Sequence, residues 1–257
     1  MLAIDVGNTE MTLGLFSGTT LRAHWRTVTD ANRTPDELGL QLRALLQSVP
    51  DGAASVRDVT IGSVVPAMTG TLAEAAERWL GARVITVDAR SRLPIRLQVD
   101  EPMTVGADRL INTLAASRLY ACDTIVVDFG TATTYDCITA DGVFLGGIIA
   151  PGIRTSAETL IRRTSKLPAT ELSIPAKAIG TRTEDCIRAG VMFGAADAID
   201  GLVRRIKREW PTPTIPKVIA TGGLAATVAP LSEEIEIVDT HLTLKGLQIA
   251  YSLLTGD

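Results

Sequence analysis

The sequence predicts an α/β protein built from two related halves, each a mixed sheet flanked by helices. Three observations carry this. The first is the run Leu2-Ala-Ile-Asp5-Val-Gly7-Asn-Thr9-Glu-Met-Thr12-Leu-Gly14-Leu-Phe16: an apolar strand ending in an acid, a glycine turn, and a returning apolar strand. The second is its recurrence as Ile125-Val-Val-Asp128-Phe-Gly130-Thr131-Ala-Thr133-Thr134-Tyr-Asp136-Cys-Ile138. The third is that each copy runs on into a further hairpin, then into helical segments alternating with short apolar strands. The two acids lie 123 positions apart, too long a period for a solenoid and suited to a duplicated domain.

Composition bounds the rest. With 257 residues, 46% hydrophobic and 21% charged, the chain can bury one large or two medium cores. A net charge of −4 argues against a general nucleic-acid or membrane-surface binder. No apolar run reaches the ~18 residues of a membrane span, and the acid at position 5 is foreign to a signal peptide. Cys122, Cys137 and Cys186 form no Cys-x-x-Cys, so buried or half-buried reduced thiols and a cytoplasmic location are expected. His24 and His241 neighbour no cysteine and read as structural or surface residues.

Taken in order, the opening hairpins run through Phe16-Ser17-Gly18 to Leu21–Arg26. Thr34-Pro35-Asp36-Glu37 is a capping box with proline at the first helical position. Leu38, Leu42, Leu45 and Leu46 succeed it at helical spacing until Pro50-Asp-Gly52. Val56–Val65 is the next strand, Pro66 opens a helix stopped by Gly81, and Val84–Val87 is another strand. Leu93–Val99 is extended and leads to Gly106-Ala-Asp-Arg109 at the start of an alanine-rich helix. By itself the Asp108-Arg109 pair is explained by a dipole-favoured acid and a solvated surface cation.

The domains are expected at residues 1–118 and 119–257. In the second, Gly146-Gly-Ile-Ile-Ala-Pro151-Gly152 reads as a buried turn, Ser156–Thr164 as a helix and Ser165–Ala178 as a loop. A long helix comes after Gly180-Thr181-Arg182-Thr183-Glu184-Asp185, where capping alone would explain either threonine. Its apolar stripe is Ile187, Val191, Ala195, Ile199 and Leu202. Lys217–Leu224 is strand, glycine turn and helix, Ile235–Val238 the last strand, and Leu242–Leu254 the closing helix. Gly222-Gly223 lets a base or ribose pack on backbone, and equally suits a plain turn.

The acid turns carry the chemistry. Gly7 permits close approach of a ligand to the main chain, and successive N–H groups in such a turn make an anion nest. Thr9 and Thr12 add hydroxyl donors. Asp5 beside a bound anion calls for a cation between them. A plain hairpin, with Gly7 and Asn8 serving only turn geometry, also accounts for one copy. Two copies suggest two half-sites clamping one phosphorylated ligand.

With Asp5-Val-Gly-Asn-Thr9, Gly106-Ala-Asp-Arg109, Asp128-Phe-Gly-Thr131, Gly146-Gly-x-x-x-Pro-Gly152 and Thr221-Gly-Gly223 in register, the whole chain resembles the type III pantothenate kinases. Gly-Ala-Asp-Arg discriminates most, because the paired turns belong to the wider acetate/sugar kinase, chaperone ATPase and actin superfamily. The resemblance implies duplicated ribonuclease-H-like (actin-like ATPase) domains with ATP between them, mixed sheets flanked by helices, and ATP-dependent phosphorylation of pantothenate, the first step of coenzyme A synthesis. It also implies a homodimer, magnesium, and a monovalent cation such as potassium or ammonium.

By resemblance, Asp5, Val6, Gly7, Asn8, Thr9, Glu10, Met11 and Thr12 hold ATP phosphates, with Asp5 serving magnesium indirectly. Thr131, Gly222 and Gly223 also contact ATP. Asp108 is the proton acceptor, Gly106, Ala107, Asp108, Arg109 and Thr183 line the pantothenate site, and Asp128 holds the monovalent cation. Two departures stand out: Glu10 where members often have asparagine, and Val99 where many have a tyrosine that touches pantothenate. The physical logic agrees, since phosphoryl transfer needs positioning, charge neutralisation and a base for the attacking alcohol. The rival readings are another small-molecule kinase of the superfamily and a non-catalytic ATP-binding regulator. Pantothenate and ATP are the expected partners, with neither nucleic acid nor membrane.

Overall fold

The computed structural model describes residues 1–256, Ala53 by its backbone only. The chain divides into two compact units: Met1–Leu119 together with the segment from Leu242 onward, and Tyr120–His241.

In the first unit, β1 (Leu2–Val6), β2 (Glu10–Ser17) and β3 (Thr20–Val28) form an antiparallel meander. Then come α1 (Pro35–Gln47), the single turn α2 (Gly52–Ser55), β4 (Asp58–Ser63), α3 (Pro66–Leu80) and β5 (Arg83–Val87). The sheet order is β3-β2-β1-β4-β5, with β1 parallel to β4 and β4 parallel to β5. β6 (Arg96–Leu97) is the only strand within the expected Leu93–Val99, and α4 (Ala107–Tyr120) comes next. The capping box forms as the sequence asks: the Glu37 amide donates to Thr34 Oγ1 at 3.3 Å, and Glu37 Oε2 accepts from the Thr34 amide at 2.8 Å. Gly81 ends α3 in the left-handed region at φ 62°.

Helices cover both faces of this sheet. Leu2, Ile4, Val6, Met11, Leu13 and Leu15 pack on Leu38, Leu42 and Leu46 of α1 and on Met68 and Leu72 of α3. Ala3 and Phe16, on the opposite face, pack with Ile111 and Leu114 of α4 and with Leu244 and Leu247 of α8 (Leu242–Thr255). Two covered faces explain why β1 is apolar at every residue but Asp5. Burying each large aliphatic side chain contributes about 1.5–3 kcal/mol. Gly246 lets α8 approach α4, since a Cβ there would sit 2.5 Å from the Ile111 carbonyl.

In the second unit, β7 (Thr124–Phe129), β8 (Ala132–Ile138) and β9 (Val143–Pro151) form the matching meander, succeeded by α5 (Ile153–Arg162) and α6 (Thr183–Glu209). β10 (Lys217–Gly222), α7 (Ala225–Val228) and β11 (Ile237–Val238) complete it. These strands lie in the order β11-β10-β7-β8-β9, with β10 parallel to β7 and β11. That is the order of the first sheet, so the duplicated architecture is present. Ile125, Val127 and Phe129 pack on Met192, Ile199 and Val203 of α6. Asp123 accepts hydrogen bonds from Trp210 Nε1 (2.9 Å) and Thr214 Oγ1 (2.6 Å), tying the end of α6 to the start of β7.

Several expectations differ. Gly146-Gly147 is not a turn but an irregular stretch of β9, where register shifts at Cys137/Ile138 and Gly146 takes φ 106°. Gly152 precedes α5, which starts three residues before Ser156. Cys186 is exposed, whereas Cys137 is buried, and none of the three cysteines is in a disulfide. The closing helix α8 belongs to the first unit, not to the half that precedes it in sequence, because its apolar face matches the bare side of β1 and β4. Among the described residues, no helix is long and apolar enough to cross a membrane.

Candidate functional site

Asp5 lies one residue before the end of β1. Register places it opposite Thr12 on β2 and Gly62 on β4, and Thr12 opposite Arg26 on β3. Paired residues share a face, so Gly62, Asp5, Thr12 and Arg26 form one row across four strands. Ala3 is two residues from Asp5 and packs with α4 and α8, so the row faces the α4/α8 side.

The turn after Asp5 is braced. The Gly7 amide donates to the Glu10 carbonyl at 3.1 Å, leaving Asn8 and Thr9 exposed at the tip. The Gly7 carbonyl accepts from Thr29 Oγ1 at 2.7 Å, and the Thr29 amide donates to the Thr9 carbonyl at 2.9 Å. Sequence reasoning missed Thr29; its signal was its place one residue past the end of β3, beside the turn. Val6 and Met11 are buried in the core, so of the expected phosphate residues they support the turn from beneath. Glu10 pairs with Arg26, Oε2 to Nε at 3.8 Å.

The Gly-Ala-Asp-Arg element lies against the carboxyl end of β4, next to β1. The Val64 amide, just past β4, donates to the Val6 carbonyl at 3.0 Å, and a Cβ on Gly106 would lie 3.3 Å from Val64 Cγ1. Ala107 is buried in the α4/α8 core. Asp108, in the first turn of α4, accepts the Arg109 amide on Oδ1 at 2.8 Å. That oxygen folds back over Gly106, where a Cβ would come within 2.5 Å of it. Burial pushes the Asp108 carboxyl above its ordinary range, against the opposing pull of the Arg109 amide and guanidinium. A half-buried carboxyl with one oxygen anchored and a raised proton affinity suits a general base. Val99 is half-buried and has no polar side-chain atom to offer.

In the second unit, Asp128 stands opposite Thr134 on β8 and Thr221 on β10, the counterpart of the Gly62–Asp5–Thr12 row. Gly222 has φ 87°, and a Cβ on it would sit 2.5 Å from Asp128 Oδ1 and 2.7 Å from the Phe129 amide nitrogen. Only glycine leaves that carboxylate room. The Gly223 amide donates to the Phe129 carbonyl at 3.1 Å, and the Gly130 amide to the Ala132 carbonyl at 3.0 Å. The Thr131 carbonyl accepts from the Gly152 amide (3.2 Å) and Thr155 Oγ1 (2.8 Å), docking α5 on the turn. Asp128, Thr131, Gly222 and Gly223 thus belong to one set of turns.

Thr183 is the exposed first residue of α6. Arg182 is the N-cap residue and makes no side-chain capping bond. Capping therefore does not account for either nearby threonine. No cluster of three or more potential metal-ligating side chains occurs among the described residues.

Residues 1–205 match the family described as type III pantothenate kinase. The chain belongs to the type III pantothenate kinase family. The type III pantothenate kinase of Anaeromyxobacter dehalogenans (strain 2CP-C) is 44% identical over 98% of both chains. That of Thermomicrobium roseum is 43% identical over 98% of this chain and 96% of its own. Among solved structures, a conserved putative Baf family transcriptional activator from Campylobacter jejuni aligns with TM-score 0.61 at 18% identity, over 98% of each chain. A putative 2-dehydro-3-deoxygalactonokinase from Sinorhizobium meliloti aligns with TM-score 0.58 at 15% identity, over 99% of each. At such identities the structures speak for the fold alone. This type III pantothenate kinase shares that fold with a putative N-acetylglucosamine kinase and an activator of the 2-hydroxyisocaproyl-CoA dehydratase.

Proposed function

We propose that this type III pantothenate kinase transfers the terminal phosphoryl group of ATP to the primary hydroxyl of pantothenate with Asp108 as the base. The observation that supports the reading is that Val64, bonded to Val6 beside the Asp5–Glu10 turn, also lies against Gly106, two residues before the anchored, half-buried Asp108. The turn supplies backbone and hydroxyl donors to phosphate oxygens, with Asn8 and Thr9 at its tip. Asp108 takes the proton of the attacking hydroxyl. Arg109 supplies a permanent cation for the substrate carboxylate or the moving phosphoryl group. Gly106 and Ala107 shape the floor, and the exposed Thr183 hydroxyl offers pantothenate a further hydrogen bond.

Thr131, Gly222 and Gly223 form the second nucleotide-binding element, where a backbone without side chains accepts a flat ring or ribose. Asp128 fits a monovalent cation, since a hard carboxylate oxygen faces a position where Gly222 lacks a side chain. Magnesium is held through Asp5 indirectly. When bound, the cations neutralise phosphate charge. The enzyme works as a cytoplasmic homodimer. Gly190 and Gly194 on α6 have open space where a Cβ would be, which suits close approach of a second copy.

The test is ADP release with pantothenate as acceptor, with and without potassium, alongside a panel of other small alcohols. Pantothenate-dependent and potassium-stimulated turnover is expected. Turnover only with another acceptor overturns the reading.

A further inference from the structure

We infer that Arg26 is a nucleotide-binding residue of this enzyme, its guanidinium reaching the phosphate chain from the outer strand of the first sheet. The inference rests on the phosphate-binding reading of the Asp5–Thr12 turn and extends it to β3.

Three observations place Arg26 there. It stands in register with Thr12, which stands in register with Asp5. The three share the face on which α4 packs, with Asp108 in the first turn of that helix. Its guanidinium is drawn toward the turn by Glu10, Nε to Oε2 at 3.8 Å, while 46% of the side chain stays exposed. Adjacent strands are about 4.8 Å apart, so Arg26 begins roughly 10 Å from Asp5, a gap that a long arginine and a polyphosphate close together.

The resting partner explains how an arginine can wait there. A solvent-exposed ion pair at this distance is weak, so Glu10 orients Arg26 without holding it. Phosphate oxygens arriving beside Glu10 bring more negative charge than one carboxylate. Arginine forms two parallel hydrogen bonds to phosphate, and the exchange favours the nucleotide. The duplicate half shows what is particular to this position. The residue opposite Thr134 in the equivalent row is Ile149, which has no charge to offer. The first half alone carries this cation, beside the one turn that also carries an extra acid, Glu10.

Arg26→Gln tests this through steady-state kinetics and calorimetric binding of a non-hydrolysable ATP analogue. Loss of a charge-assisted phosphate contact should raise the KM for ATP and the analogue Kd together, by about tenfold or more. The KM for pantothenate and the melting temperature should stay near wild type, and Arg26→Lys should recover part of the loss. Unchanged analogue affinity overturns the inference, as does a rise confined to the pantothenate KM, which would put the guanidinium on the substrate carboxylate. Pantothenate-dependent turnover of the wild-type enzyme, measured in the same series, separates failure of this inference from failure of the kinase reading.

Discussion

The Val6 carbonyl accepts the Val64 amide at 3.0 Å, and Val64 stands between the two elements on which the proposed chemistry depends. Val6 leads into the glycine turn. Val64 abuts Gly106, two residues before the proposed base. The carboxyl ends of β1 and β4 therefore give the proposed phosphate turn and the proposed base a common support.

Asp108→Asn should lower turnover by about 10²–10⁴-fold while leaving ATP affinity intact. Turnover near that of wild type removes Asp108 as the base.

The same variant should be more stable than wild type at neutral pH. Burial raises the folded-state affinity of Asp108 for its proton, so ionisation costs the folded state more than the unfolded one. The cost is absent below the ordinary aspartate range, grows as pH rises through it, and is constant above the raised value. Melting curves from about pH 4 upward should show the Asn variant pulling ahead of wild type with increasing pH. A gap that closes with rising pH contradicts the sign.

Gly222→Ala should weaken potassium activation and destabilise the protein by about 1–2 kcal/mol or more, because φ is positive and the new Cβ meets the Asp128 carboxylate. Gly81→Ala is the control: φ is also positive, but nothing lies within 4 Å. It should lower the melting temperature and spare the potassium response. Equal potassium responses in the two variants separate Gly222 from the cation.

Thr183→Ala should leave the melting temperature unchanged, since no capping bond is lost, and raise the pantothenate KM. Thr34→Ala is the converse: its capping bond is present, so it should cost about 1 kcal/mol of stability without touching KM.

Much of this was legible from residue order. Thr34, Glu37 and Gly81 announce their helix boundaries because capping is local chemistry. The two Asp–Gly turns announce the duplication because both sit at the same point of the same strand pattern. What spacing could not tell concerns contacts between distant segments. Thr29 bracing the Gly7 turn, Thr155 docking α5 on Thr131, and Glu10 facing Arg26 depend on strand register and helix placement. The glycine pair in β9 misleads for a related reason: glycine marks turns and bulges alike, and only the partner strand decides between them. The sequence order also hid the destination of α8. Its apolar stripe is evident, but which sheet it covers is set by the bare face of β1 and β4.

That destination inverts the order of completion during synthesis. The second unit, residues 120–241, can close as soon as it leaves the ribosome. The first must wait, with one face of its sheet covered only in part by α4, until the segment from Leu242 onward emerges and settles beside Gly62 and Ile111. Within this unit, the strands made before α4 are the last to be sealed.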